Sequence, residues 1–320
     1  MQNTVFETAL TRIAGPQDIS SSPQRRTPAS VAAAAFEGMR PHQWLKNLLV
    51  FAPLAAAHRI ADLALLGTAI GAFIAFSLVA STVYLLNDLK DAPSDRMHPH
   101  KRNRPIASGR LPTRVALATA ALLLVSATVV AAFIGSHLVL TLSLYLGISI
   151  AYTLWVKEVV LLDVFVLAAG YALRIIAGAA AVRIDPSARL LAFCIFLFVS
   201  LALIKRYAEL ALLRTRDGAT AHARAYRLED QDFILALGVA CGALSVLVLA
   251  LYLATAAIDR AYSRSQLIWC TCVLLLYWIS YMWLMAHRGR MTDDPLVFAI
   301  KNRVSVALIL LMAVSAWLAV

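Results

Sequence analysis

Leu63–Leu86 is 24 residues without a charged side chain, and eleven of the next 24 are Asp, Lys, Arg or His. A helical run of about 20 apolar residues matches the hydrocarbon thickness of a bilayer. In lipid each backbone N–H and C=O must be satisfied within its own segment, so such runs are helices. Composition agrees: 61% of the 320 residues are hydrophobic and 15% charged, against roughly 45–50% and 25% in soluble domains. A water-soluble enzyme, a disordered chain and a secreted disulfide scaffold are excluded on that ground. The expectation is an all-α integral membrane protein.

Nine apolar segments are expected, near residues 43–57, 63–86, 114–134, 138–156, 160–181, 189–213, 232–256, 266–286 and 303–320. The first is short and is interrupted by Lys46. Placing the N-terminus inside puts 23 of the 29 Lys and Arg residues on the inner side and five on the outer, with Arg174 left within a span. Such a bias orients membrane proteins, so a cell (inner) membrane location with the N-terminus cytosolic is expected. Residues 1–38 carry the Pro-, Ser- and Gln-rich stretch Gly15–Ser30, which cannot bury a core and is expected to be a disordered cytosolic tail. Residues 39–320 are then one transmembrane domain. Cys194, Cys241, Cys270 and Cys272 all lie in apolar stretches and are expected to be buried thiols.

The net charge of +11 would suggest nucleic acid in a soluble chain, but here it is first a statement about topology. No nucleic-acid module, P-loop, nucleophile elbow or Rossmann glycine run is present, so no nucleic-acid partner is expected.

Chemistry concentrates at the end of the second apolar run. Asn87, Asp91 and Asp95 are spaced four apart, with Asp88 between them, and that spacing puts side chains on one helical face. Gathered acids repel one another unless a cation is present, and Mg²⁺ takes one or two carboxylates, waters and substrate phosphates. The alternative is a solvated helix end with no ligand. Behind the acids come Lys101, Arg102 and Arg104, cations able to take phosphate oxygens that a metal leaves free. Pro93 is expected to end the helix near Ala92, so that Asp95 approaches from a loop. His98 and His100 flank Pro99 without a partner Cys, a poor arrangement for a transition metal.

The stretch Asn87–Gly109 resembles the first Asp-rich motif of the UbiA superfamily of intramembrane prenyltransferases. That resemblance implies nine transmembrane helices around a cavity open to the cytosolic side. Arg40–Asn47 (RPHQWLKN), Tyr152–Lys157 (YTLWVK), Leu173–Gly178 (LRIIAG) and Lys205–Leu210 (KRYAEL) are similar to one branch, the decaprenyl-phosphate phosphoribosyltransferases. The branch implies a donor, phosphoribosyl diphosphate, an acceptor, polyprenyl phosphate, and Mg²⁺ as cofactor.

Carried onto these positions, the resemblance makes Asp88 and Asp91 catalytic and Asn87, Asp88, Asp91 and Asp95 the metal set. Lys46, Lys101, Arg102, Arg104, Tyr152, Lys157, Arg174, Lys205, Arg206 and Glu209 become candidates for substrate binding. Aromatic prenyltransferases carry a second acidic motif after the sixth helix. Here that place begins with Lys205, Arg206 and Glu209, and one acidic plus one basic cluster fits two anionic substrates. Glu229, Asp230 and Asp232 lie farther on, either as a second motif or as a solvated helix start.

Arg174 stands within a span, where a charge costs about 2.5–3.5 kcal/mol and needs an interior partner. It either holds a phosphate or pairs structurally with Asp163 or a helix carbonyl. Tyr152 also suits an interfacial aromatic belt, and Tyr277, Trp278, Tyr281 and Trp283 suit belt and packing roles. The product would feed arabinose donors for envelope polysaccharide or a secreted glycolipid such as a nodulation signal. Rival expectations are an aromatic prenyltransferase using polyprenyl diphosphate and a non-enzymatic transporter.

Overall fold

The computed structural model describes residues 27–98, 101–216, 226–255, 262–291 and 294–319. Residues 1–26 of the expected tail, and His100, lie outside the described residues. The elements are α1 (Pro28–Met39), a 3₁₀ helix (Pro41–Phe51), α2 (Ala52–Ala56), α3 (Leu63–Met97), α4 (Thr113–Ile134), α5 (Ser136–Leu154) and α6 (Leu162–Val182). They continue with α7 (Ala188–Arg216), α8 (Gln231–Leu253), α9 (Ser265–His287), α10 (Pro295–Lys301) and α11 (Arg303–Ala319).

Seven of these helices are long and apolar enough to cross a membrane, or eight if α10 and α11, bent by 85°, form one span. The expected nine is therefore not met among the described residues. The segment near 43–57 is where it fails. Pro41 and Pro53 supply no backbone donor, and the chain runs as a 3₁₀ helix followed by five α-helical residues. At the other end, the bend falls at Asn302, whose Oδ1 accepts the Ser305 N–H at 3.0 Å.

Part of the expected tail is also ordered. Thr27 and Ser30 form a reciprocal capping box, Pro28 opens the helix, and an alanine run extends it as α1. Arg110 then forks onto Glu37 at 2.6 and 2.9 Å, tying α1 to the loop before α4.

The two largest of four hydrophobic clusters hold most of the bundle. One joins α3, α4, α5 and α6, and the other joins α6, α7, α8, α9 and α11. Helix α6 gives Leu173, Ala177 and Ala181 to the first and Val164, Ala168 and Ile175 to the second, so it is the seam. Small residues at such contacts let backbones approach closely. At Gly178 an added Cβ would lie 1.9 Å from the Val50 carbonyl oxygen, which fixes the 3₁₀ helix against α6.

Trp278 and Trp283 are buried packing residues, the latter bonded to Ser200 Oγ at 3.1 Å, while Tyr277 faces outward. Three cysteines are buried as expected, but Cys270 is exposed on the outer face of α9. An apolar stretch in lipid has an outward side as well as an inward one.

Candidate active site

Asp62 caps α3, accepting from the Ala64 and Leu65 amides, and 35 residues follow without interruption to Met97. The helix passes through Pro93, contrary to the expected break, and Asp95 sits on the helix rather than on a loop. A proline removes one ladder bond, and the turns on either side are joined by another route. Arg104 Nη1 reaches Asp88 Oδ1 at 3.2 Å and Asp95 Oδ2 at 2.7 Å, one residue on each side of the proline. Arg96 Nε adds a bond to the Ala107 carbonyl at 3.2 Å.

The four candidate metal ligands consequently divide. Asp88 is 3% exposed and is held by Arg104 and by Arg40, whose Nη2 lies 2.6 Å away. Arg40 adopts a left-handed conformation at the end of α1 and lies over the Tyr84 ring. Asp88 is thus engaged on two sides by guanidinium groups and does not line the cavity beside it. Asn87 and Asp91 do line it, with Asn87 Nδ2 donating to Asp91 Oδ2 at 3.1 Å, and the buried Asp95 also borders it. Among the described residues no group of three His, Cys, Asp or Glu side chains has metal-site geometry.

The cavity measures about 480 Å³ and takes its walls from α3, α5, α6, the 3₁₀ helix Pro41–Phe51 and the short 3₁₀ turns Lys101–Asn103 and Val156–Glu158. The same wall carries Glu158 and the cations Lys46, Lys101, Lys157 and Arg174, with Tyr84, Tyr145, Tyr152 and Tyr171 among them. Lys157 Nζ lies 3.2 Å from Asp91 Oδ1, so one cation already leans on the acid face.

Arg174 is buried and forms no ion pair with a carboxylate among the described residues. It donates to Asn47 Oδ1 at 2.8 Å, to the Gly170 carbonyl at 2.5 Å and to Tyr145 Oη at 3.3 Å. Phe76, Tyr145 and Tyr171 present ring faces to it. The pairing with Asp163 is not formed, because Asp163 belongs to Arg206.

Arg206 corrects the sequence reading most clearly. It is fully buried, with Nε 2.7 Å from Asp163 Oδ2, Nη1 on Glu209 and Nη2 3.2 Å from Tyr152 Oη. Tyr226 completes the network, donating to Asp163 Oδ1 at 2.6 Å and accepting the Leu161 N–H at 2.9 Å. Arg206 and Glu209 fasten α6, α7 and the loop before α8 together, and neither lines the cavity. Arg102 is exposed and also lies off the cavity wall. Arg104 spends its charge on Asp88 and Asp95.

Lys205 faces a neighbouring recess of about 260 Å³ that also contains Lys46 and Asp294. Glu229 and Asp232 are exposed at the start of α8, and Asp230 Oδ2 accepts the Arg227 N–H at 2.8 Å, as a helix start requires.

Asp294 escaped the sequence reading. Lys46 Nζ is 2.8 Å and Lys205 Nζ 3.6 Å from its Oδ2, while Oδ1 caps α10 at the Leu296 amide. Burial raises its pKa and the two ammonium groups lower it, and the balance lies below the ordinary carboxylate value. Only the Asp-Pro helix-start signature marks it in sequence. Arg40 and Asn47 were equally silent, though both lie inside the Arg40–Asn47 stretch.

A helical bundle of membrane-crossing length, with acids and cations lining one cavity near its end, defines an integral membrane protein with a charged site. The chain belongs to the UbiA prenyltransferase family, whose profile matches residues 48–303. Nodulation protein NoeC of Azorhizobium caulinodans is 39% identical over 278 residues, covering 87% of this chain and 90% of that protein. Decaprenyl-phosphate phosphoribosyltransferase of Mycolicibacterium smegmatis is 37% identical over 205 residues, 62% of this chain and 64% of that one. Among solved structures, a UbiA homologue from Archaeoglobus fulgidus bound to GPP and Mg²⁺ superposes with a TM-score of 0.64 at 16% identity, over 90% of this chain and all of that one. This last likeness is one of fold.

Proposed function

We propose that the protein transfers 5-phosphoribose from phosphoribosyl diphosphate to a polyprenyl phosphate at the charged end of the bundle. The observation that carries this reading is the cavity's wall chemistry. Its wall carries Asn87 and the carboxylates of Asp91, Asp95 and Glu158 together with four cations, Lys46, Lys101, Lys157 and Arg174. Two anionic substrates need that surplus of positive charge, whereas a diphosphate and a neutral phenol do not. The names of the mycobacterial relatives point the same way.

The acid face suits a hard divalent ion. The Asn87 amide N–H holds one Asp91 carboxylate oxygen on the cavity wall, and Mg²⁺ needs only one or two carboxylates when substrate phosphates complete its shell. Asn87, Asp91 and Asp95 are the residues that would hold it, and Asp88 supports them from behind. When bound, the ion offsets charge on the departing diphosphate.

The chain's own residues do the rest. Lys157 and Lys101 flank the acids and meet donor phosphate oxygens. Arg174, oriented by Asn47 and Tyr145, presents a guanidinium to whichever phosphate enters deepest. The bond from ribose C1 to the diphosphate oxygen breaks, and a new bond forms from C1 to an oxygen of the lipid phosphate. That oxygen is already anionic, so no strong general base is needed.

We place the charged end on the cytosolic side, following the bias of Lys and Arg along the chain. The likeness to a nodulation protein over most of both chains favours a secreted glycolipid as the destination of the pentose over envelope polysaccharide.

Membranes containing the protein should convert phosphoribosyl diphosphate labelled in the ribose into a lipid-extractable product, dependent on Mg²⁺ and on added polyprenyl phosphate. No labelled lipid, with consumption of polyprenyl diphosphate and an aromatic acceptor instead, would replace this reading with prenyl transfer.

A further inference from the structure

We propose that Asp294 is the internal counter-ion of a phosphomonoester subsite made by Lys46 and Lys205, and that the phosphate of the lipid acceptor displaces it. The inference rests on the transfer reading above and names the residue that regulates one of its two substrates.

Both ammonium groups converge on a single oxygen, Asp294 Oδ2, at 2.8 and 3.6 Å. The side chains of Lys46 and Asp294 are each 13% exposed, so this is a partly dehydrated cluster and not a surface pair. Two ammonium groups against one carboxylate leave an uncompensated positive charge. A phosphomonoester carries about −1.5 to −2 at pH 7 and balances the pair more fully than Asp294 does. Each ammonium group has donors to spare, but a dianionic phosphate held by both lysines lies against the Asp294 carboxylate, and the repulsion between like charges drives the carboxylate out.

The surroundings identify the lipid as the source. The recess containing Lys205 and Asp294 shares Lys46 with the main cavity. It also shares Lys46 and Leu296 with a cleft of about 330 Å³ whose remaining wall is almost wholly apolar, with Leu45, Leu48, Val297 and Ile300 among its residues. A phosphate at Lys46 and Lys205 therefore has the acid face of the cavity on one side and a hydrocarbon-compatible cleft on the other.

The exchange also has a direction. Transfer converts the acceptor phosphate from a monoester dianion into a diester with one charge. The carboxylate competes better against the diester, so return of Asp294 assists product departure.

Asn and Ser both keep a side-chain acceptor for the α10 amide now capped by Oδ1, so D294N and D294S separate the charge from the helix cap. The test titrates the full chain in lipid nanodiscs with farnesyl phosphate, ribose 5-phosphate and inorganic phosphate by calorimetry. Farnesyl phosphate should bind about threefold to tenfold tighter to D294N and D294S than to the unaltered chain, up to about 1.4 kcal/mol. K205M placed on D294N should cancel the gain, which a purely structural role for Asp294 does not predict.

Unchanged or weaker binding of farnesyl phosphate by both variants overturns the proposal. A gain confined to ribose 5-phosphate assigns the lysines to the donor and overturns it too, as does an equal affinity for inorganic and farnesyl phosphate. These affinities are read without turnover. Failure of pentose transfer and failure of the counter-ion exchange are therefore separate results.

Discussion

Asp91 and Asp88 are three residues apart and have opposite surroundings. Asp91 faces the cavity between Asn87 and Lys157, while Asp88 turns inward to Arg40 and Arg104. On the proposed transfer reading the first would meet the metal, while the second holds the helix end in shape. Asp91→Asn should therefore lower kcat/KM for pentose transfer by at least about a hundredfold, on the scale of losing one charged contact in a transition state. The amount of folded protein in membranes should stay the same, because Asp91 is only partly buried. Full transfer activity in labelled-lipid assays would remove Asp91 from the acid face. The spacing Asn87–Asp91–Asp95 was legible in the sequence because helical periodicity is local. The inward turn of Asp88 was not, since it depends on Arg40, 48 residues away. Asp294 was still less visible, paired with Lys46 across 248 residues.

Long apolar runs announced α3 through α9, because their length and lack of charge are written in consecutive residues. The irregular pieces were hidden. The 3₁₀ helix and the passage through Pro93 are decided by partners elsewhere in the fold, and the bend between α10 and α11 by one polar residue, Asn302, inside an apolar run. At the 3₁₀ helix the partner is Gly178 of α6, whose missing side chain admits the Val50 carbonyl. Gly178→Ala must push this segment away and carry Lys46 and Asn47 with it. The expected cost is about 1–3 kcal/mol, the usual range for overpacking, read as a lower unfolding temperature in detergent together with weaker transfer. A variant as stable and active as the parent would show that the contact has slack. At Pro93, Arg104→Ala should leave Asp88 and Asp95 buried with part of their compensation gone. Breaking a buried pair costs about 3–5 kcal/mol. Arg104 is itself a quarter exposed and Arg40 remains on Asp88, so about 2 kcal/mol is the expected loss. Thermal unfolding measures it, and no change in stability would refute the bridging role.

Across the whole molecule, the charged groups of the site gather near one end of a bundle whose outer surface is apolar. Phe133, Leu122, Val125 and Trp317 all point outward, as lipid contact requires. Positive-inside bias predicts which side of the membrane that end occupies. In a background lacking Cys194, Cys241, Cys270 and Cys272, a cysteine at Lys101 should resist a membrane-impermeant thiol reagent in intact cells. One at Ser187, in the loop between α6 and α7, should be labelled. The reverse pattern would invert the orientation. Fold class could be read from residue order alone, because it follows from a one-dimensional pattern of hydropathy. The division of cations into those on the cavity wall and those spent on structure could not. Arg174 and Arg206 are each a lone guanidinium after an apolar run, yet one borders the cavity and the other is locked onto Asp163 and Glu209.

Arg104 bears on how inactivating substitutions here should be interpreted. Because its guanidinium clasps the helix on both sides of Pro93, a lesion there will mimic the loss of a ligand without removing one. A genetic screen scored by activity alone would merge clasp and ligand into one class. Raising Mg²⁺ separates them: a weakened ligand set recovers as the ion becomes abundant, whereas a loosened helix end has no such remedy.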